Sequence, residues 1–212
     1  MYEPPLHRQT DRAALHALIR RRPLGLLITS GAQGLIANAI PFLLDPDRGE
    51  FGVLQAHMAR ANGQWRDLQP DGETLVVFQG EDHYISPSWY ETKRETGKVV
   101  PTWNYLMVQA HGRARAIEDP VWLRAQIEAL TKAHEASRAA PWAVADAPED
   151  FVTAQARQIV GVEIEIAALS GKWKASQNRN VADRAGVAEG LAGEGDTEAA
   201  AMARIVRDSG PA

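Results

Sequence analysis

The clearest periodicity in the chain lies at residues 105–116, YLMVQAHGRARA, where Leu106, Val108, Ala110, Gly112, Ala114 and Ala116 alternate with Tyr105, Met107, Gln109, His111, Arg113 and Arg115. A period of two predicts a strand with one small or apolar face and one large or polar face. GVEIEIA at 161–167 repeats the pattern, with Val162, Ile164 and Ile166 inward, and predicts the last strand. Upstream, LGLLITS, GLIANAIPFLL, FGVLQAH and TLVVFQ are short apolar runs divided by the turn-forming SGAQG, DPDRG and PDG, and they predict successive antiparallel strands.

Between the strands the period lengthens. Thr10 is a candidate N-cap for DRAALHALIRRR, whose Leu15, Leu18 and Ile19 share one helical face and whose terminal arginines suit the helix dipole, with Pro23 as the stop. Asp119 and Pro120 predict a helix over 121–136 with Leu123, Ile127 and Leu130 inward, and a second is expected over 149–158. From about residue 186 the chain turns to Gly, Ala and Glu, with a short helix expected in TEAAAMARIV before SGPA. Packing on the body would order this tail. Strands, then helices, then a strand, without βαβ alternation, predict a β-rich α+β fold: a closed or partly closed antiparallel barrel with peripheral helices. The expected division is one domain over 1–186 and a tail over 187–212.

Composition narrows the chemistry. At 212 residues, 24% charged and 45% hydrophobic, the chain can bury a core without staples. It has no cysteine, which excludes disulfides, thiolate metal sites and thiol nucleophiles. A net charge of −4 gives no global attraction for nucleic acid, so a DNA contact would need a local basic patch. MYEPPLHRQT lacks a signal layout and no apolar run approaches the roughly 20 residues of a membrane helix, so a cytoplasmic location and no membrane partner are expected. Neither GxGxxG, a Walker-type GxxxxGK[ST] nor a GxSxG elbow occurs, and His134-Glu135 has Arg138 where a zincin places its second histidine.

Three stretches carry candidate chemistry. QAHMARANGQW, 55–65, leads a strand into a turn bearing His57, Arg60, Asn62 and Gly63, which suits either an anion grip or a solvated turn. GKWKASQNRN, 171–180, sets Lys172, Lys174 and Arg179 beside Ser176, Gln177, Asn178 and Asn180. Cofactor phosphate, nucleic-acid phosphate and a solvated loop all fit that composition. Tyr84, Trp89, Tyr90, Trp103 and Tyr105 crowd YISPSWYETK and VVPTWNY, as core, interface or ligand platform. Together the three describe a protein for a phosphorylated flat ring system.

The order YISPSWY, VPTWNY and GKWK-x-SQNR, preceded by HMARAN, resembles the PaiB family of FMN-binding negative transcriptional regulators, from about residue 10 to about residue 186. A looser likeness is to the pyridoxamine-phosphate-oxidase-like split barrels. The resemblance implies a split-barrel homodimer with FMN at the subunit interface and a repressor role acting on DNA or through a protein partner. By motif it places Leu27, Thr29 and Ser30 near the flavin, Asn38, Ala39, Ile40 and Pro41 on the next strand, and His57, Ala59, Arg60, Ala61 and Asn62 near the phosphate. Trp103, Asn104 and Tyr105 would reach the isoalloxazine, and Lys172, Lys174, Gln177 and Arg179 its polar edge. The family's A-x-H-x-P reads Ala37-Asn38-Ala39-Ile40-Pro41, and its K-L-S-Q-N reads Lys174-Ala175-Ser176-Gln177-Asn178.

No residue stands out as a catalytic acid or base, and no reader helix is evident. The alternative to a regulator is an FMN-dependent oxidoreductase, since split barrels host such enzymes. A deazaflavin or haem is a further alternative, with His57, His83 and His111 as the candidate iron contacts.

Overall fold

The computed structural model describes residues 1–32, 34–68 and 72–209. Gln33 of the first expected turn, Pro70 and Asp71 of the third, and the terminal Gly210, Pro211 and Ala212 lie outside the described residues. In chain order the elements are β1 (Arg8–Gln9), α1 (Arg12–Arg21), β2 (Leu24–Gly31), β3 (Gly34–Pro41), β4 (Leu43–Asp45), β5 (Val53–Ala59), β6 (Glu73–Ile85), α2 (Glu91–Thr96), β7 (Thr102–Ile117), α3 (Pro120–Glu135), α4 (Glu149–Ala156), β8 (Ile159–Lys174), α5 (Val181–Gly193) and α6 (Thr197–Asp208). Among the described residues the strands form a single sheet in the order β3-β2-β6-β7-β8-β5-β4, with β1 paired to β8. The chain divides into two compact units, the first Met1–Asp11, Gln79–Val108 and Ser170–Ala212, the second Arg12–Phe78 and Gln109–Leu169.

The second unit holds most of the sheet core. β2 pairs antiparallel with β3 and β6, and β5 with β4 and β8. Leu27, Phe42, Leu54, Val76, Phe78, Val162 and Ile164 are buried, and Phe42 meets Phe78 edge-on at 5.8 Å. Gly25 is required where Phe78 crosses β2, because a Cβ there would come within 2.6 Å of the ring. α1 presents Leu15, Leu18 and Ile19 inward as expected. It starts at Arg12, which leaves Asp11 rather than Thr10 at the N-cap position.

The first unit contains the ends of β6, β7 and β8, with β1, α2, α5 and α6. Asn180 caps α5 by accepting from Asp183 N at 2.7 Å, and Asp196 caps α6 by accepting from Ala199 N at 2.7 Å. The carboxylate of Asp183 in turn accepts from Thr92 N and Thr92 Oγ1 at 2.9 and 2.8 Å, tying α5 to the start of α2.

Four expectations change. β8 runs to Lys174, well past residue 167, because β1 supplies a partner: Arg8 opposes Lys172 and Gln9 opposes Gly171. Residues 171–174 are therefore strand rather than loop. Helix α5 begins at Val181 and crosses residue 186 into the tail, and α6 follows it, where one short helix was expected. Gly186 and Gly190 are packing features, since they lie one turn apart against Trp89, with the Trp89 carbonyl at the first and the indole at the second. A side chain at either would collide. Finally, α3 turns Leu123 and Gln126 inward, and Ile127 and Leu130 are only half-buried. The β7 alternation holds from Leu106 to Ala114 and then shifts, so that Ile117 is buried in place of Ala116.

Candidate functional site

The expected contacts fall into two groups, one in each unit. In the second unit the organising residue is Gln64, which is 1% exposed and lies in the single-turn helix Gly63–Asp67. Its Nε2 reaches Leu27 O at 3.1 Å, Thr29 Oγ1 at 3.2 Å and Ile36 O at 3.2 Å. Its Oε1 accepts from Asn38 Nδ2 at 2.9 Å, and its backbone N–H donates to Asn62 Oδ1 at 3.1 Å. Leu27, Thr29, Asn38 and Asn62 are thus brought together by a residue the sequence reading passed over. Its position in RANGQW, directly after an Asx turn, was the available signal.

The other expected residues of this unit stand apart from that hub. Ser30, Ala39, Ala59 and Ala61 are exposed, Ile40 is in the core and Pro41 is half-buried at the end of β3. His57 Nδ1 is 2.7 Å from Gln126 Oε1. Arg60 has committed its guanidinium to Glu118 and to the carbonyls of Arg157 and Ile159, at 3.0 and 3.1 Å for the latter two. A groove of about 650 Å³ beside it, between α3 and α4, is rimmed by Arg60–Glu118 and Arg124–Glu149, so these charges are already paired.

The first unit holds a different electrostatic situation. Lys172 is 8% exposed, and its ammonium lies 5.3 Å from the ring centres of both Tyr105 and Tyr2. Lys174 donates to Thr102 Oγ1 and to Trp103 O and lies 6.0 Å from the Tyr105 ring. Arg179 covers the ring of Tyr90 at 4.4 Å. Among the described residues no ion pair joins any of these three cations to a carboxylate. Burial, then the like charges of Lys172 and Arg179, hold the Lys174 ammonium below its ordinary range. Buried cations without counter-ions are costly, and an anion would offset that cost.

Beside the cations stand polar and flat groups. Asn104 is fully buried and exchanges hydrogen bonds with Ser176, Nδ2 donating to Oγ at 2.9 Å and Oγ to Oδ1 at 3.3 Å. Ser176 adopts φ 62°, a left-handed conformation uncommon outside glycine and frequent where structure serves a ligand. Trp103 is 53% exposed and meets Tyr84 edge-on at 6.0 Å. Trp103, Asn104, Tyr105, Lys172, Lys174, Gln177 and Arg179 thus belong to one unit. The aromatic block divides accordingly: Trp89 and Tyr90 pack against α5 and beneath Arg179, whereas Tyr84 and Trp103 face outward. Tyr2 and His7 were missed, since nothing in MYEPPLH announces that β1 pairs with β8.

The cluster fits a phosphorylated flavin on two counts. It offers cations without a carboxylate partner for a phosphate and an exposed indole for a ring face, while the buried amide and hydroxyl of Asn104 and Ser176 are bonded to each other behind them. In each candidate histidine Nδ1 is held by a hydrogen bond, which leaves Nε2 as the nitrogen that iron would take. His57 Nδ1 is taken by Gln126, His83 Nδ1 by Tyr84 O at 2.7 Å and His111 Nδ1 by Glu73 at 2.9 Å. Among the described residues no group of three or more His, Cys, Asp or Glu could hold a metal ion, and no helix is long and apolar enough to cross a membrane.

Sheet order and flanking helices define a mixed α+β protein with an open, split-barrel-like sheet. The chain belongs to the family described as "Putative FMN-binding domain", whose model matches residues 1–168. An uncharacterized protein of Emericella nidulans is 37% identical over 99% of this chain and 98% of its own length. The protease synthase and sporulation protein PAI 2 of Bacillus subtilis is 28% identical over 98% of this chain and 97% of its own. Among solved structures, an FAD and heme binding protein from Mycobacterium smegmatis superposes with a TM-score of 0.59 at 17% identity, covering 79% of this chain and 73% of that one. A flavocytochrome from Azotobacter vinelandii gives 0.59 at 14% identity, covering 84% and 74%.

Proposed function

We propose that the protein binds FMN, with Lys172, Lys174 and Arg179 taking the phosphate and Trp103 meeting the ring system, and that it acts as a flavin-dependent redox protein. The observation that carries this reading is the set of three buried or half-buried cations with no carboxylate partner among the described residues, beside an exposed tryptophan. Bound FMN supplies the redox chemistry. The chain's own residues bind the dianion, orient the ring and keep water from the Lys172 side. Visible absorption of the isolated protein tests the proposal: flavin bands support it, and a protein that stays colourless after addition of FMN and removal of excess overturns it. Bleaching of the bound flavin by NAD(P)H, with turnover on a small acceptor, supports the redox role.

A second copy of the chain is proposed as partner. One face of the β2–β3 hairpin exposes Leu24 (63%), Leu26 (39%) and Leu35 (79%), and β3 ends the strand order. An exposed apolar edge of this kind favours self-association. A monomer in sedimentation equilibrium would overturn it. A regulatory role is the other reading, for a chain similar to a protease synthase and sporulation protein. A specific, salt-resistant operator shift would favour it over the redox role.

A further inference from the structure

The N-terminal segment packs on the cation cluster inside the same unit. The turn Pro5–His7 and strand β1 run beside β8, and His7 Nδ1 lies 3.1 Å from Gln177 Oε1. The rest of the amide fixes the direction of this bond. Gln177 Oε1 also accepts from Ala175 N at 2.8 Å, and its Nε2 donates to Trp173 O at 2.6 Å, so the atom facing His7 is an acceptor. His7 Nδ1 therefore carries the proton. In the neutral ring Nε2 is a lone pair, and in the protonated ring it is a second donor.

The surroundings decide which form prevails. The charged groups facing His7 are Lys174 and Lys172 of β8, while on its own segment Glu3 and Arg8 pair with each other at 3.7 Å. Burial first, and then the two ammonium groups, hold the imidazole below its ordinary range, against the opposing effects of the Gln177 bond and of the Trp173 backbone. An anion bound to the lysines would cancel the part of this shift that their charges cause.

We propose that His7 is a ligand contact of the same site: a phosphate held by Lys172 and Lys174 takes a hydrogen bond from His7 Nε2 in the protonated ring, so that phosphate binding is coupled to uptake of one proton from solvent. The proposal rests on the FMN reading above and adds a residue and a pH dependence to it. Because the bound state favours the imidazolium, affinity rises as pH falls from above the bound-state titration to below the free-state one. The gain is about tenfold for each unit by which the two titrations are separated.

The test compares wild type with His7→Asn, which keeps an N–H donor for Gln177 but does not titrate. FMN affinity is followed by flavin fluorescence across weakly acidic to weakly alkaline pH, and the six histidine rings by NMR with and without FMN. The titration of FMN phosphate itself is common to both proteins and drops out of their ratio. Wild type should gain affinity over His7→Asn as pH falls, one ring should titrate higher with FMN bound, and riboflavin, which lacks phosphate, should show neither effect. A shared pH profile with FMN bound, an unmoved set of rings, or the same effects with riboflavin overturns the proposal. Failure of FMN to bind at any pH sinks the flavin reading instead, and the same ring titration with inorganic phosphate then decides the role of His7.

Discussion

The Lys172 ammonium lies 5.3 Å from the centre of the Tyr105 ring, and no carboxylate among the described residues pairs with it. Such a cation is a poor stabiliser and a good anion receptor. Lys172→Met should therefore lower FMN affinity by about 10- to 100-fold, the loss of one charge-assisted hydrogen bond of about 1.5–3 kcal/mol. Thermal stability should hold or rise. Fluorescence titration and thermal unfolding on the same samples check both halves, and a large loss of stability would show Lys172 to be structural.

Gly190→Ala should destabilise the first unit, because the new methyl meets the Trp89 indole in a packed position. Overpacking of this kind costs about 1–3 kcal/mol. Urea unfolding of the variant should show the loss, and an unchanged midpoint would mean that Trp89 moves freely.

Glu163 is 5% exposed and accepts hydrogen bonds from Arg48 at 2.9 and 3.3 Å, Gln55 at 2.9 Å and Arg115 at 2.6 and 3.2 Å. Burial alone would raise its titration, but the Arg48, Gln55 and Arg115 bonds prevail and bring it down from 4.5 to about 2. A depressed carboxylate contributes stability that is complete above the unfolded value and is lost as pH falls from 4.5 toward about 2. The contribution is up to about 3 kcal/mol. Glu163→Gln should be less stable at neutral pH, and its stability should fall less steeply through that acid window. Parallel acid profiles for variant and wild type would contradict this.

Gln64→Ala would leave Thr29 Oγ1 and the carbonyls of Leu27 and Ile36 without their side-chain donor. Unsatisfied buried acceptors cost about 1–3 kcal/mol in total for a site of this kind. Hydrogen exchange should quicken along β2 and β3, and unaltered protection there would remove Gln64 from its organising role.

Periodicity made β7 readable because its small and apolar positions keep to one buried face from Leu106 to Ala114. What it could not reveal depended on partners distant in sequence. Strand β8 extends through Lys172 with Arg8 opposite, and Gly186 and Gly190 resemble linker composition until Trp89 is set against them. The site was legible as residue types rather than as roles. Lys172, Lys174, Trp103 and Asn104 meet in one unit as the motifs implied, yet Arg60 has its donors engaged by Glu118 and two carbonyls. Only the fold distinguishes a free guanidinium from a committed one.

That distinction sets a paired test of the central claim, that FMN is held through Lys172 and Lys174. FMN is added to wild type, Lys174→Ala and Arg60→Ala, excess is removed by desalting, and the visible absorption spectrum is recorded. Flavin bands retained by wild type and Arg60→Ala but lost from Lys174→Ala are the predicted result. A colourless wild type, or bands lost from Arg60→Ala and kept by Lys174→Ala, would contradict it.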